Sequence, residues 1–196
     1  MSTELVVGTA AGIVDRDGPD RLSLTRVAAE LGVTQPALYK HVRDASDLMR
    51  QVALTARRQL LDRPRDAAMG RTRDDALREV AAAWRSFVRE HPGLYAATDR
   101  HPLAGYGDLE RATADIVRVV ARVVASYGLG PPEVDHAAWS VRSALHGFVS
   151  LEAEEGHPAS MDLDESFQAM VGLLITGLRA MARLSGADRA DPSGLR

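Results

Sequence analysis

Apolar residues in this chain recur at spacings of three and four, and no β-branched run alternates long enough to make a strand. Leu77, Val80, Ala81, Trp84 and Val88 form one such stripe. Leu109, Ala112, Ile116, Val120, Val123 and Tyr127 form another, and Phe167, Met170, Val171, Leu174, Leu178 and Met181 a third. This period allows one fold class, all-α, with about nine helices. At 196 residues the chain can bury about 70% of its unfolded surface and needs no covalent staple.

Composition removes several function classes. There is no Cys, which excludes a disulfide scaffold, a thiolate metal site and a Cys nucleophile. The six His are scattered without an i, i+4 pair, so neither a metal nor any other cofactor is expected. Gly8-Thr9-Ala10-Ala11-Gly12 lacks the Lys-Ser/Thr ending of a phosphate loop, and no catalytic Ser/His/Asp order is seen, so no catalytic residue is assigned. Residues 1–15 lack the pattern of a signal peptide, and no run of 18 apolar residues occurs. A soluble, cytoplasmic protein with no membrane partner is expected. The net charge of −3 hides a polarity: residues 1–65 carry 10 cations and 8 anions (+2), and residues 66–196 carry 14 and 19 (−5).

Turn and cap residues place the elements. Ser2 or Thr3 caps a first helix to about Asp17, with Leu5, Val6, Thr9, Ala10, Ile13 and Val14 toward a core. Asp17-Gly18-Pro19-Asp20 is a turn. Ser23 caps Leu24–Leu31, Gly32 closes it in a left-handed conformation, and Thr34 caps a third helix with Pro36 in its first turn. Asp44 and Asp47 occupy capping-box positions for a fourth helix to about Leu61. Arg57 and Arg58 read as a solvated face of that helix. Residues 62–73 contain Pro64 and Gly70 without an apolar stripe and read as a linker. The expected partition is a three-helix head over residues 1–48, a connecting helix and linker over 49–73, a larger body over 74–185, and a disordered tail over 186–196.

Two helices of about eight residues joined by Leu31-Gly32-Val33-Thr34 have the proportions of a helix-turn-helix. Val27, Ala28, Leu31, Val33, Leu38 and Val42 form its packing set, leaving Gln35, Ala37, Lys40 and His41 outward. Leu24-Thr25-Arg26-Val27-Ala28 followed by Leu31-Gly32-Val33-Thr34-Gln35-Pro36-Ala37-Leu38-Tyr39-Lys40-His41-Val42 resembles the DNA-binding signature of the tetracycline-repressor (TetR) family, over roughly residues 4–52. The resemblance implies base contacts from Gln35, Pro36 and Ala37 and phosphate contacts from Thr25, Tyr39 and His41. Arg26, Thr34 and Lys40 complete the candidate DNA-binding set. Gln suits adenine, an Ala or Pro side chain a thymine methyl, and a Tyr hydroxyl a phosphate oxygen. Where the family usually carries a Lys after the recognition helix, this chain has Ala45, with Arg43 nearby.

In the body, Asp135, Trp139, Arg142, His146 and Ser150 share a helix face opposite Val134, Ala138, Val141, Leu145 and Phe148. That second face meets either a pocket or a partner chain. Trp139 with His146-Gly147, and His91-Pro92-Gly93-Leu94-Tyr95 upstream, resembles the Trp-His-Gly type of TetR C-terminal domain. This implies a ligand cavity bordered by Trp84, Phe87, Tyr95, Trp139, Arg142 and His146. It also implies a homodimer through the last two long helices, for which Phe167, Met170, Val171, Leu174, Leu178 and Met181 are the candidate interface. The function implied is a ligand-responsive transcriptional regulator, most simply a repressor, that binds a near-palindromic double-stranded operator and is released by an unidentified small molecule. The alternative is a helical small-molecule-binding or enzymatic domain with a vestigial head.

Overall fold

The computed structural model describes residues 1–100 and 105–190. Among these there are nine α-helices and no strand: α1 Thr3–Asp17, α2 Leu24–Glu30, α3 Gln35–Leu38, α4 Ala45–Ala68, α5 Arg73–Glu90, α6 Pro92–Ala97, α7 Gly107–Ala125, α8 Pro131–Ala153 and α9 Leu163–Ala190, with one 3₁₀ turn over Pro19–Arg21. The chain divides into two compact units. The first is Met1–Asp62 with Phe87–Ala114, and the second is Arg63–Ser86 with Asp115–Arg196.

The first unit is built around the head. Val6, Ala10, Ile13 and Val14 of α1 pack with Val27 and Ala28 of α2, Leu38 of α3, and Leu48 and Val52 of α4. Leu5, expected inside, is 52% exposed, because the core side of α1 is carried by its neighbours Val6 and Val7. The caps follow the sequence: Ser2 Oγ accepts from Leu5 N–H at 3.2 Å, and Ser23 Oγ accepts from Arg26 N–H at 3.2 Å. Asp44 Oδ1 accepts from Asp47 N–H at 2.7 Å.

This unit extends beyond residues 1–48 because α6 docks on α1. His91 Nδ1 lies 2.7 Å from Asp15 Oδ2, and Leu94 N–H donates to Asp15 Oδ1 at 3.4 Å. Gly93 sits so close that a Cβ there would strike the Val14 carbonyl oxygen, and Leu94 and Ala97 join the head's core. Arg50 of α4 pairs with Asp108 of α7. Arg57 is not solvated: it is 6% exposed and donates to the Thr98 carbonyl.

In the second unit the helices keep the expected stripes, with shifted ends. Residues 62–68, read as linker, continue α4 through Pro64. Proline there removes one backbone hydrogen bond close to the helix C-terminus. A left-handed Gly70 (φ 70°) then turns the chain into α5. Leu77, Val80, Ala81 and Trp84 of α5 are buried, as are Val120 and Val124 of α7, Ala138, Val141 and Leu145 of α8, and Phe167, Val171, Ile175 and Leu178 of α9. Arg85, itself 7% exposed, ties three segments. Its Nε donates to Glu152 Oε2 at 2.8 Å and its Nη1 lies 2.7 Å from Asp164 Oδ1, while its guanidinium carbon stands 4.6 Å from the Phe167 ring centre. α9 reaches Ala190, beyond the expected start of the tail, and residues 191–196 lie outside the described residues. Leu163–Gly186 is, by length and composition, apolar enough to cross a membrane, although no unbroken apolar run marks it in the sequence, and only 22% of its most apolar window is buried.

Candidate DNA-recognition face

The recognition element is shorter than its sequence pattern. α3 is one turn, Gln35–Leu38, followed by Tyr39 in helical geometry (φ −66°, ψ −10°). Leu38 (0% exposed) and Val42 (3%) anchor it in the head core. Gly32, at φ +66°, makes the bend that a β-carbon would strain. Thr34 takes the N-cap position with extended backbone but makes no side-chain cap bond. Val33, expected to pack, is exposed.

Around this turn the expected contact residues come together. Thr25, Pro36, Tyr39 and Lys40 are exposed, and Arg26, Gln35, Ala37 and His41 are half-buried. Thr25 Oγ1 donates to Gln35 Oε1 at 2.9 Å, and Gln35 Nε2 donates to the Tyr39 hydroxyl at 3.2 Å. His41 Nδ1 lies 3.2 Å from Thr3 Oγ1. Arg26 is held by Asp17 at 2.5 Å, so it starts as half of an ion pair. Beside the turn, Asp47 accepts from Arg43 N–H at 3.1 Å and from Arg50 Nη2 at 3.0 Å. Burial pushes the Asp47 carboxyl up, but the Arg43 amide and the Arg50 and Arg43 guanidiniums outweigh it and hold the carboxyl below its ordinary value. The Arg43 side chain is 78% exposed, within 3.5 Å of Asp47, and Ala45 is exposed next to it.

The residues expected around a ligand cavity have different surroundings. Trp84, Phe87 and Tyr95 are buried, Arg142 and His146 are half-buried, and Trp139 is 57% exposed. Trp139 lies on the outer side of α8, with the Arg142 guanidinium carbon 5.2 Å from its ring centre. Arg142 Nε is buried without a hydrogen-bond partner. A cavity of about 590 Å³ lies among Thr72, Arg73, Asp74, Asp75, Tyr127, Arg179 and Arg183. There Tyr127 donates to Asp74 Oδ1 at 3.0 Å and Arg179 pairs with Asp74. Burial, then the Asp74 contact, pushes the Tyr127 hydroxyl well above its ordinary value. Sequence reasoning missed this group, although Arg179 and Arg183 are spaced i, i+4.

The candidate interface residues split. Phe167, Val171 and Leu178 are buried within their own chain, at 2%, 1% and 3% exposure. They are core side chains, a correction with a simple cause: they lie on the side of α9 that covers its own unit. Met170, Leu174 and Met181 are half-buried, while Leu173 (75%) and Leu184 (69%) stand out from the helix.

A family model described as the tetracyclin repressor-like C-terminal domain matches residues 77–174. An uncharacterized HTH-type transcriptional regulator of Mycobacterium tuberculosis is 37% identical over 91% of this chain and 82% of its own length. The chain belongs to the tetracycline-repressor family. Among solved structures, the putative regulatory protein SCO4313 superposes with a TM-score of 0.73 at 25% identity, covering 88% of this chain and 94% of that one. BioQ, solved with its double-stranded DNA operator, gives a TM-score of 0.69 at 25% identity over 92% and 99%. This TetR-family chain is a transcriptional regulator, not an enzyme, which sets aside the reading of an enzymatic body with a vestigial head.

Proposed function

We propose that the chain works in the cytoplasm as a homodimeric repressor. Each protomer places α3 in a major groove of a near-palindromic operator, and a small-molecule effector shifts the dimer to a state that no longer fits. The observation that carries this reading is the exposed polar turn itself. Thr25, Gln35, Tyr39, Lys40 and Arg43 present hydroxyl, amide and cationic groups around one helical turn whose packing residues are buried. Gln35, Pro36 and Ala37 read base edges, and Thr25, Tyr39, His41 and Arg43 hold phosphates. BioQ, a similar structure solved with its double-stranded DNA operator, supports operator binding.

The dimer forms through α8 and α9. Leu173, Leu184 and Trp139 are exposed apolar side chains on those helices, with Met170, Leu174 and Met181 beside them. Large exposed apolar faces mark association sites, and a two-fold contact buries the same residues on both copies. For the effector, Arg142 and His146 of α8 are the polar contacts, and Trp84 of the same unit supplies apolar surroundings. The buried, unpaired Arg142 Nε suits an effector carrying an acceptor oxygen.

A gel shift with duplexes tiling the DNA upstream of the protein's own gene tests the reading. One duplex is expected to be retarded far more tightly than random DNA. Equal affinity for all duplexes overturns it.

A further inference from the structure

We infer that Thr25, Gln35 and Tyr39 form a relay in which the phosphate contact of Tyr39 sets which base Gln35 accepts, an inference that rests on the DNA-binding reading above. A glutamine amide has an oxygen that accepts two hydrogen bonds and a nitrogen that donates two. Here each end uses one of them internally: Oε1 accepts from Thr25 at 2.9 Å and Nε2 donates to Tyr39 at 3.2 Å. One acceptor site and one N–H remain on the same planar group. That pair complements adenine, whose major-groove edge offers an N6–H donor beside the N7 acceptor. It does not complement guanine, which offers the acceptors N7 and O6.

The two hydroxyls alone do not fix this orientation. An amide turned end for end has the same shape, and either hydroxyl can donate or accept. A phosphate removes the ambiguity. Tyr39 is 52% exposed at the end of the recognition turn, beside Lys40, and a phosphate diester oxygen accepts but has no proton to give. When the Tyr39 proton is given to a phosphate, the hydroxyl offers Gln35 only a lone pair. Nε2 must then face Tyr39, and Oε1 must face the Thr25 hydroxyl, which donates. Backbone grip and base choice are therefore one event. Tyr39 acts as a specificity-determining residue without touching a base, and Thr25 as a positioning residue.

The test uses the full-length protein and duplex DNA. Wild type selects a binding sequence from a random-sequence library, and anisotropy titrations then compare all four bases at each position. Wild type is expected to prefer adenine over guanine by about ten- to hundredfold at one position in each half-site, and Gln35→Ala to abolish that preference. Thr25→Val and Tyr39→Phe are both expected to bring the same ratio close to one while leaving preferences at other positions intact, and Thr25→Ser to restore it. A purely phosphate-gripping Tyr39 would lower affinity for every duplex equally and leave the ratio unchanged. The relay is overturned if Gln35→Ala flattens the preference but Thr25→Val and Tyr39→Phe keep the wild-type ratio. If Gln35→Ala changes no preference, the assignment of Gln35 to a base falls instead. Should Thr25→Val lose its helical circular dichroism, Tyr39→Phe decides alone.

Discussion

Two exposed faces of this molecule have opposite chemistry. The recognition turn shows water a hydroxyl, an amide, an imidazole and an ammonium group; the Gln35 amide bonds Thr25 and Tyr39, and the His41 imidazole bonds Thr3. The outer side of α9 shows Leu173 and Leu184, at 75% and 69% exposure, with half-buried methionines beside them. Each unit also holds a carboxylate–guanidinium cluster with a buried centre: Asp47 with Arg50 and the exposed Arg43 in the first, and Arg85 with Glu152 and the exposed Asp164 in the second. Buried ion pairs contribute little net stability but fix geometry, since losing one partner strands the other charge. The contrast teaches that the chemistry of a face names its partner. Polar groups with spare donors and acceptors suit a wet groove, whereas a bare apolar stripe suits a second copy of itself.

The largest effect is expected on the apolar face. Leu173→Glu with Leu184→Glu should give a helical monomer in sedimentation. Its operator affinity should fall by about 10²–10⁴-fold, because the second half-site is no longer bound at high effective concentration. A dimer that survives this pair of charges would place the interface elsewhere. Leu178, buried at 3%, is the control: Leu178→Ala should cost about 2–5 kcal/mol of stability and leave the dimer in place.

The Arg85 cluster comes next. Arg85→Met removes the cation that Glu152 faces at 2.6 Å and should destabilise the protein by about 3–5 kcal/mol in urea titration. Arg85→Met paired with Glu152→Gln should recover part of this. Equal losses in the single and double variants would show that the pair is not coupled.

Asp47 gives a smaller, pH-dependent effect. Its carboxyl is held below the ordinary value of 3.8, so the ionised form stabilises the fold. That contribution is complete above the ordinary value and disappears as pH falls through the lower, folded one. Asp47→Asn should therefore be less stable than wild type near neutral pH, with the gap closing below about pH 3.8. A gap that stays constant to acid pH contradicts the ionic role.

The smallest effect concerns the edge of the polar face. Ala45 is exposed beside Arg43, and Ala45→Lys should steepen the log–log salt dependence of operator binding by about 0.9. An unchanged slope would mean that residue 45 does not approach the DNA backbone.

The polar face was far more legible in the sequence than the apolar one. Short-range chemistry specifies the head: Ser23 caps, Gly32 must take φ +66°, and Leu38 and Val42 point inward because the polar residues around them cannot. The stripe on α9 was visible, but periodicity alone does not say which neighbour it faces. Phe167, Val171 and Leu178 went to the chain's own core, and the uncovered residues were Leu173 and Leu184, one position off the stripe or beyond its end. Trp139 shows the same limit, since an aromatic on a second helix face reads equally as pocket or partner until its exposure is known. The docking of α6 on α1 depends on Asp15 and His91, 76 residues apart, and on the missing side chain of Gly93, none of which leaves a local pattern.

The central claim is that two copies of this chain read one palindrome through α3, and selection of DNA by the intact protein tests it most directly. Wild type, incubated with a random-sequence duplex library and analysed by sequencing and by the mass of the complex, should enrich an inverted repeat. Its half-sites should be centred about 34–36 Å apart, or a multiple of that, with at least two chains per duplex and a preference at one base pair that Gln35→Ala removes. Enrichment of no sequence, or of a lone half-site bound by a single chain, would contradict it.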